Sequence, residues 1–158
     1  MKAVTSNFKT ILSIRKSMAF MLERMPLTAV NTVPAGFSNN IVWNMAHVIC
    51  VQQLLVNRRA GLPYTEDRAI TQNYKPGTFV EGDVDLAFID QLKHRLVANA
   101  EEMEISYNEE RFTHYDPFTT RTRMSLDSIE DAISFDLFHE GLHMAYILQL
   151  QKAVMKDS

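Results

Sequence analysis

Two histidines near the end of the chain have the spacing of metal ligands. His139 and His143 are four residues apart in a segment with helical periodicity. Side chains at positions i and i+4 of a helix project from one face, one turn apart, so two imidazoles can reach a common ion. The pair predicts a divalent metal site, and the alternative is a chance pair on a partly buried helix face.

A third histidine on an earlier segment completes the set. His47 lies beside Ala46 and one turn after Trp43, in a stretch that is apolar over much of its circumference. A buried imidazole there needs a partner, because an unpaired polar group in a core costs free energy. That partner is either a metal ion or a backbone carbonyl, and the downstream pair favours the metal. Three imidazoles with open positions for water are typical of a catalytic metal site.

The segment from His139 to His143 also matches H-E-x-x-H, the zinc metalloprotease motif in which the glutamate is the general base. Such proteases take a third ligand from further along the chain. Residues 144–158 contain no histidine, no glutamate and only Asp157, so a protease of this type is not predicted. Glu140 lies about 100° around the helix from His139 and could act as a general base; the alternatives are a solvent-facing or supporting carboxylate.

Three other side chains lie one turn from the predicted ligands. Asp136 precedes His139, and Asn44 precedes His47, so each could accept the free N–H of a ligand imidazole and fix its tautomer. Cys50 follows His47 and could be a fourth ligand, although a lone cysteine on an apolar face usually packs in the core. The sequence leaves all three roles open.

Helices must position these residues. Apolar residues recur at helical spacing along four segments, with Lys9, Arg15, Lys16 and Glu23 placed largely on the polar side of the first. The predicted helices cover residues 5–25, 38–59, 83–105 and 128–154. Since no clear strand is predicted, the fold class is all-α, and residues 1–158 form a single four-helix-bundle domain.

Capping residues mark the predicted helix ends. Ser38 and Asp83 are candidate N-caps for the second and third helices. Ser128, followed three residues later by Asp131, resembles a capping box at the start of the last helix. Gly61 ends the second helix.

Two connections, over residues 61–82 and 106–127, are longer than the two to eight residues usual between bundle helices. The second contains β-forming residues that can pair briefly. Their aromatic side chains could wall a substrate pocket or simply pack. These are Tyr64, Tyr74, Phe79, Tyr107, Phe112, Tyr115 and Phe118.

Composition excludes several classes of function. Hydrophobic residues make up 46% of the 158 and charged residues 22%, the balance of a globular protein with a packed core. A formal net charge of -3 provides no basic surface for nucleic acid. No apolar run approaches the ~20 residues that span a bilayer, and the N-terminal region lacks the apolar centre of a signal peptide. With Cys50 as the only cysteine, we expect a cytoplasmic protein without disulfides.

Two motifs together resemble the DinB/YfiT superfamily. They are Asn40-x-x-Trp43-x-x-x-His47 on the second helix and the segment H-E-G-L-H-M-A-Y-I, which starts at His139, on the last. The resemblance covers nearly the whole chain. It implies an up-up-down-down four-helix bundle, usually dimeric, in which His47, His139 and His143 bind a divalent metal together with water.

The resemblance also implies a function. Some relatives are S-transferases that use bacillithiol, mycothiol or glutathione, and others are isomerases or hydrolases. We therefore expect a metal-dependent enzyme acting on a small molecule, a thiol S-transferase or a hydrolase, with Glu140 as the candidate catalytic base and a low-molecular-weight thiol as a candidate co-substrate. The alternatives are a non-catalytic metal-binding or stress-associated dimeric module and a bundle whose histidines only pack. Zinc or nickel is favoured, although imidazole also suits manganese and iron.

Overall fold

The computed structural model describes residues 2–63 and 68–156, and most of them are helical. The helices are α1 (Lys2–Arg24), α2 (Leu27–Asn31), α3 (Ile41–Gln52), α4 (Arg68–Asn73), α5 (Leu86–Asn108) and α6 (Ile129–Lys156). A two-stranded antiparallel sheet pairs β1 (Phe118–Thr119) with β2 (Ser125–Leu126). The prediction of an all-α fold is confirmed.

The four longer helices α1, α3, α5 and α6 pack together as a bundle. Helices α1 and α3 each pack against both α5 and α6, so they lie diagonally opposite in the bundle. Each buries an apolar face, and α3 is buried over its full length. Residues from all four helices meet in the middle of the larger core cluster. Among them are Met18, Leu22, Met45, Ile49, Leu92, Leu96, Ile147 and Leu150.

The order of helix directions differs from the predicted up-up-down-down arrangement. Contacts from Asn7 to Ser134 and from Arg15 to Glu140 show that α1 and α6 run parallel. Phe8 contacts Tyr107, while Met18 and Leu22 lie with the first half of α5, so α5 runs opposite to α1. Helix α3 also runs opposite to α6, and the bundle is therefore up-down-down-up. Apolar periodicity determines which face of a helix is buried but not the direction in which it runs.

Two predicted N-caps shift by two residues. Asn40, rather than Ser38, caps α3 by accepting a hydrogen bond from the backbone N–H of Trp43, and Asp85, rather than Asp83, caps α5. Asparagine and aspartate cap as well as serine does, so a sequence with several candidates does not choose between them. The capping box at the start of α6 is confirmed, because Ser128 and Asp131 each accept a hydrogen bond from the other's backbone N–H.

Helix α3 continues into a π-helical turn, Gln53–Asn57, and a 3₁₀ turn, Arg58–Ala60. The continuous segment ends at Gly61, whose φ of 71° is the left-handed conformation that glycine adopts readily. This confirms the predicted end of the second helix. Single π turns occur frequently beside functional sites, since the inserted residue re-aims the side chains that follow.

Both long connections pack near α3. Because α3 and α5 run in the same direction, the chain between them must return along the bundle, and α4 lies on this return and contacts α3. The second connection contains the predicted brief strand pairing, with Phe118 opposite Leu126. Within the part of the chain that the structure describes, no helix is both long and apolar enough to cross a membrane.

Candidate metal centre

The structure brings His47 of α3 together with His139 and His143 of α6. One ring nitrogen from each lies within 4.8 Å of the others, and this trio is the single such cluster found among the described residues. The ring centroids of His139 and His143 are 4.4 Å apart. The ring centroid of His47 lies 5.3 Å from that of His139 and 4.8 Å from that of His143. Antiparallel packing of α3 on α6 therefore gathers the three predicted ligands from opposite ends of the sequence.

The orientation of His47 leaves one nitrogen available for a metal. Its Nδ1 lies 2.6 Å from the backbone oxygen of Tyr74, and since a carbonyl only accepts, Nδ1 carries the hydrogen. Trp43 stacks on the other side of the ring at 4.5 Å between centroids. The Nε2 atom is consequently unprotonated and has a lone pair to offer. The backbone carbonyl that the sequence offered as an alternative partner for His47 is thus present. It binds Nδ1 only, so Nε2 remains free to act as a ligand.

His143 is held in the same tautomer by a side chain. Its Nδ1 lies 2.9 Å from Oδ1 of Asn44. The amide group of Asn44 donates to the backbone oxygen of Asn40 at 2.8 Å, which identifies the atom facing His143 as the acceptor oxygen. His143 therefore donates from Nδ1 and also presents an unprotonated Nε2. The sequence left open whether Asn44 orients an imidazole; in the structure it contacts the imidazole of His143, not that of His47.

Unpaired buried atoms surround His139. Its Nδ1 has no hydrogen-bond partner, and neither carboxyl oxygen of Asp136, three residues earlier on the same helix, has one. Buried polar atoms without partners are rare in folded proteins. A hydrogen bond from Nδ1–H to Asp136 would satisfy both groups and leave a third Nε2 for an ion. The three histidines thus fit a metal, with an oxygen acceptor behind Nδ1 of His47 and of His143 and an unpaired Nδ1 on His139.

Comparison with known proteins identifies the family. The sequence profile of the DinB superfamily matches residues 13–147, a span that includes all three histidines. The chain belongs to the DinB superfamily. The search of the curated proteins gave no match.

Burial sets the charge of the histidines in this DinB-superfamily bundle. It lowers the pKa of His139 to about 2 and that of His143 to about 4, with the neighbouring histidines acting in the same direction. Burial also lowers the pKa of His47, although the hydrogen bond to Tyr74 opposes this. The imidazoles are therefore neutral near pH 7, which is the form that binds a metal.

This burial predicts acid sensitivity of the metal-free protein. An unfolded imidazole has a pKa of about 6.5 and takes up a proton between pH 7.5 and 5.5, whereas native His139 stays neutral. The unfolded state then binds more protons, so the free energy of unfolding falls as the pH falls. In urea titrations of chelator-treated protein, His139→Gln should lose less stability than wild type over this range, by on the order of 1 kcal/mol. His94→Gln, at an exposed position, should keep the wild-type loss; an equal loss in all three proteins would contradict a buried neutral His139.

An ion pair is buried next to the three histidines. Arg15 contacts Oε1 of Glu140, and both side chains are completely buried. Arg15 also donates to Oε1 of Gln52, which in turn donates to the backbone of Asn99. Burial raises the pKa of Asp136 well above its usual value, and Glu140, one turn away, adds to the effect. Burial also raises the pKa of Glu140, and Arg15 opposes the shift at each carboxyl group.

Placing Arg15 on the polar side of the first helix was wrong. The residue lies on the apolar stripe, four positions after Ile11 and three before Met18, both of which are fully buried. This periodicity was a signal in the sequence, but the charge of the side chain outweighed it. A buried arginine requires a buried anion, and Glu140 supplies it.

Cys50 packs in the core. Its side chain is fully buried among apolar residues, and its sulfur lies 3.7 Å from the backbone oxygen of Thr71. Burial raises the pKa of the thiol to about 12, so the reactive thiolate is disfavoured near neutral pH. Cys50 is also outside the cluster of ligand atoms found in the described chain.

His47 and His139 line a cavity of about 660 Å³. One face of α3 and its π and 3₁₀ extension forms a wall, and the chain from Asp116 through β1 to Thr122 forms another. Of the loop aromatics named from the sequence, Phe118 lines this cavity. Tyr64 lies outside the described residues. The cavity has the size of typical small-molecule sites.

Proposed function

We propose that this DinB-superfamily protein is a divalent-metal-dependent enzyme acting on a small molecule, as a thiol S-transferase or a hydrolase. The observation that carries the proposal is the common tautomer of His47 and His143. Both donate from Nδ1 to an oxygen acceptor and leave Nε2 unprotonated. Two core histidines that only packed would not need to present lone pairs to the same point.

The residues present fit a divalent cation held by His47, His139 and His143. Nitrogen ligands in this number suit zinc or nickel, and manganese and iron are accepted by the same donors. When bound, such an ion supplies Lewis acidity that lowers the pKa of a coordinated water or thiol. Three protein ligands leave coordination positions open, and the adjoining cavity gives a substrate access to two of the histidines.

The role of Glu140 as general base stays a prediction. One carboxyl oxygen contacts Arg15, while the other is buried without a partner, and Glu140 is outside the set of cavity-lining residues. Burial raises its pKa, which suits a base, and Arg15 opposes that shift. In Glu140→Gln, a fall in kcat of about 10²–10⁴ would support the base, and a smaller fall would leave it a positioning residue.

A homodimer is part of the proposal. Three large apolar side chains one turn apart on α6 are exposed: Phe138 by 46%, Leu142 by 53% and Tyr146 by 43%. An aligned apolar stripe of this kind is typical of an interface between helices. Light scattering coupled to gel filtration would test it, because a monomer mass at micromolar concentration would exclude a stable dimer.

A cytoplasmic location likewise remains a prediction.

Turnover is the test of the enzyme proposal. Protein loaded with zinc or nickel is assayed with a thiol and an electrophile, glutathione with chlorodinitrobenzene, and separately with nitrophenyl esters. We expect activity in one of the two assays that is lost after chelation and in His143→Gln, and retained in the exposed-site control His94→Gln. Metal binding without turnover across broader thiol and ester panels would favour the non-catalytic metal-binding module.

A further inference from the structure

The cavity beside the metal centre has a charged end that the metal does not explain. Among residues 2–63 and 68–156, four ionisable side chains other than histidine line it, namely Arg58, Arg59, Arg121 and Asp116. The whole chain has a formal net charge of -3, yet these lining groups sum to a positive charge. A cavity with low-dielectric walls concentrates the field of such groups on a ligand.

Two of the four groups are already engaged in holding the cavity wall. Arg59 donates to the backbone oxygens of Asp116 and Pro117, both at 3.3 Å, and lies 4.0 Å from the centre of the Phe118 ring. The carboxylate of Asp116 pairs with His114 at 3.3 Å. The contacts of Arg59 hold the chain before β1 against the end of the α3 segment.

The other two arginines do not hold the cavity wall in this way. Within residues 2–63 and 68–156, no hydrogen bond or ion pair engages the guanidinium of Arg58 or of Arg121. Both line the cavity, one from the end of the α3 segment and one from the turn between β1 and β2. An arginine carries a planar array of donors that matches a carboxylate or a phosphate, often through two parallel hydrogen bonds.

Apart from the three arginines, the histidines, Asp116 and two threonines, the described lining is apolar. The lining residues on α3 and its extension lie at helical spacing on one face, from His47 to Arg58. These two residues are separated by roughly 15 Å along the helix axis. The apolar lining residues that the structure describes are Val51, Leu54, Leu55, Pro76, Phe118 and Phe135. A ligand filling this space has an apolar body.

We infer that the cavity binds a small organic molecule with an apolar body and a terminal oxyanion, a carboxylate or a phosphate, held by Arg58 and Arg121. The opposite end of the molecule then lies at His47 and His139, where the reaction of the proposed function takes place. The inference names the substrate class for that function, but binding of the oxyanion itself does not depend on the metal.

The test uses matched ligands on chelator-treated protein, so that a metal cannot bind the anion. Isothermal titration calorimetry at low salt compares 4-phenylbutyrate and phenyl phosphate with the uncharged 4-phenylbutanamide. At least one anion should bind about tenfold more tightly than the amide, and the better anion identifies the oxyanion. The double variant Arg58→Gln/Arg121→Gln should lose this tenfold advantage while its affinity for the amide stays unchanged.

Charge-matched controls separate local from general effects. Lys9→Gln/Lys16→Gln removes the same charge from exposed positions of α1 and should bind like wild type. Equal affinity for the anions and the amide, or an anion preference that survives the arginine double variant, would overturn the inference. Since the assay contains no metal and no turnover, failure of the enzyme proposal would leave a positive result standing.

Discussion

Replacement of His143 by alanine should lower the affinity for zinc or nickel by more than about 100-fold. The estimate follows because loss of a group that merely orients a ligand costs roughly 10–100-fold, and loss of the ligand itself must cost more. His47→Ala should have a comparable effect, since the two residues present equivalent Nε2 atoms. Metal content of untagged protein by plasma mass spectrometry, together with competition against a chelator of known affinity, measures both.

Two controls make the result specific. His94→Ala removes a histidine at an exposed position of α5 and should leave the metal content unchanged. Asn44→Ala removes the acceptor behind His143 and should give an intermediate loss, about 10–100-fold. If wild type holds no metal after reconstitution, or if His143→Ala holds as much as wild type, the trio is not a metal site and the packed-histidine alternative gains.

Truncation of Arg15 should be strongly destabilising. The residue is completely buried and contacts Glu140 and Gln52. Arg15→Ala leaves a carboxylate buried without its cation, and removing one partner of a buried ion pair typically costs about 3–5 kcal/mol. Urea denaturation of metal-free protein followed by circular dichroism would measure the loss, with Lys16→Ala, exposed on the same helix, as the control.

The charge-neutral double variant distinguishes this ion pair from simple packing. In Arg15→Met/Glu140→Leu no uncompensated charge remains, so much of the stability lost in Arg15→Ala should return. If the double variant is as unstable as the single one, the shape of the side chains, and not the buried charge, determines the cost. If Arg15→Ala is as stable as Lys16→Ala, Arg15 is not buried as described.

The histidines and the ion pair behind them were predictable to different degrees. His139 and His143 are local, because four residues along a helix guarantee proximity whatever the rest of the chain does. That His47 lies close to this pair was inferred from its apolar surroundings. The distances between His47 and the pair depend on the antiparallel packing of α3 on α6. Arg15 was missed, since its partner Glu140 is far along the sequence and a charged side chain is rarely buried without one.

Sequence alone determined the helical nature of this protein, the approximate helix ends and the placement of His139 and His143 on one face of α6. These properties arise from contacts within a few residues, namely apolar periodicity, caps and i, i+4 neighbours. Only the tertiary structure decided the up-down-down-up order, the tautomers of His47 and His143 and the cavity that joins Arg58 to the histidines. Each of these depends on contacts between residues far apart in the sequence, such as Tyr74 with His47 and Asn44 with His143. Such contacts produce no periodic pattern in the sequence.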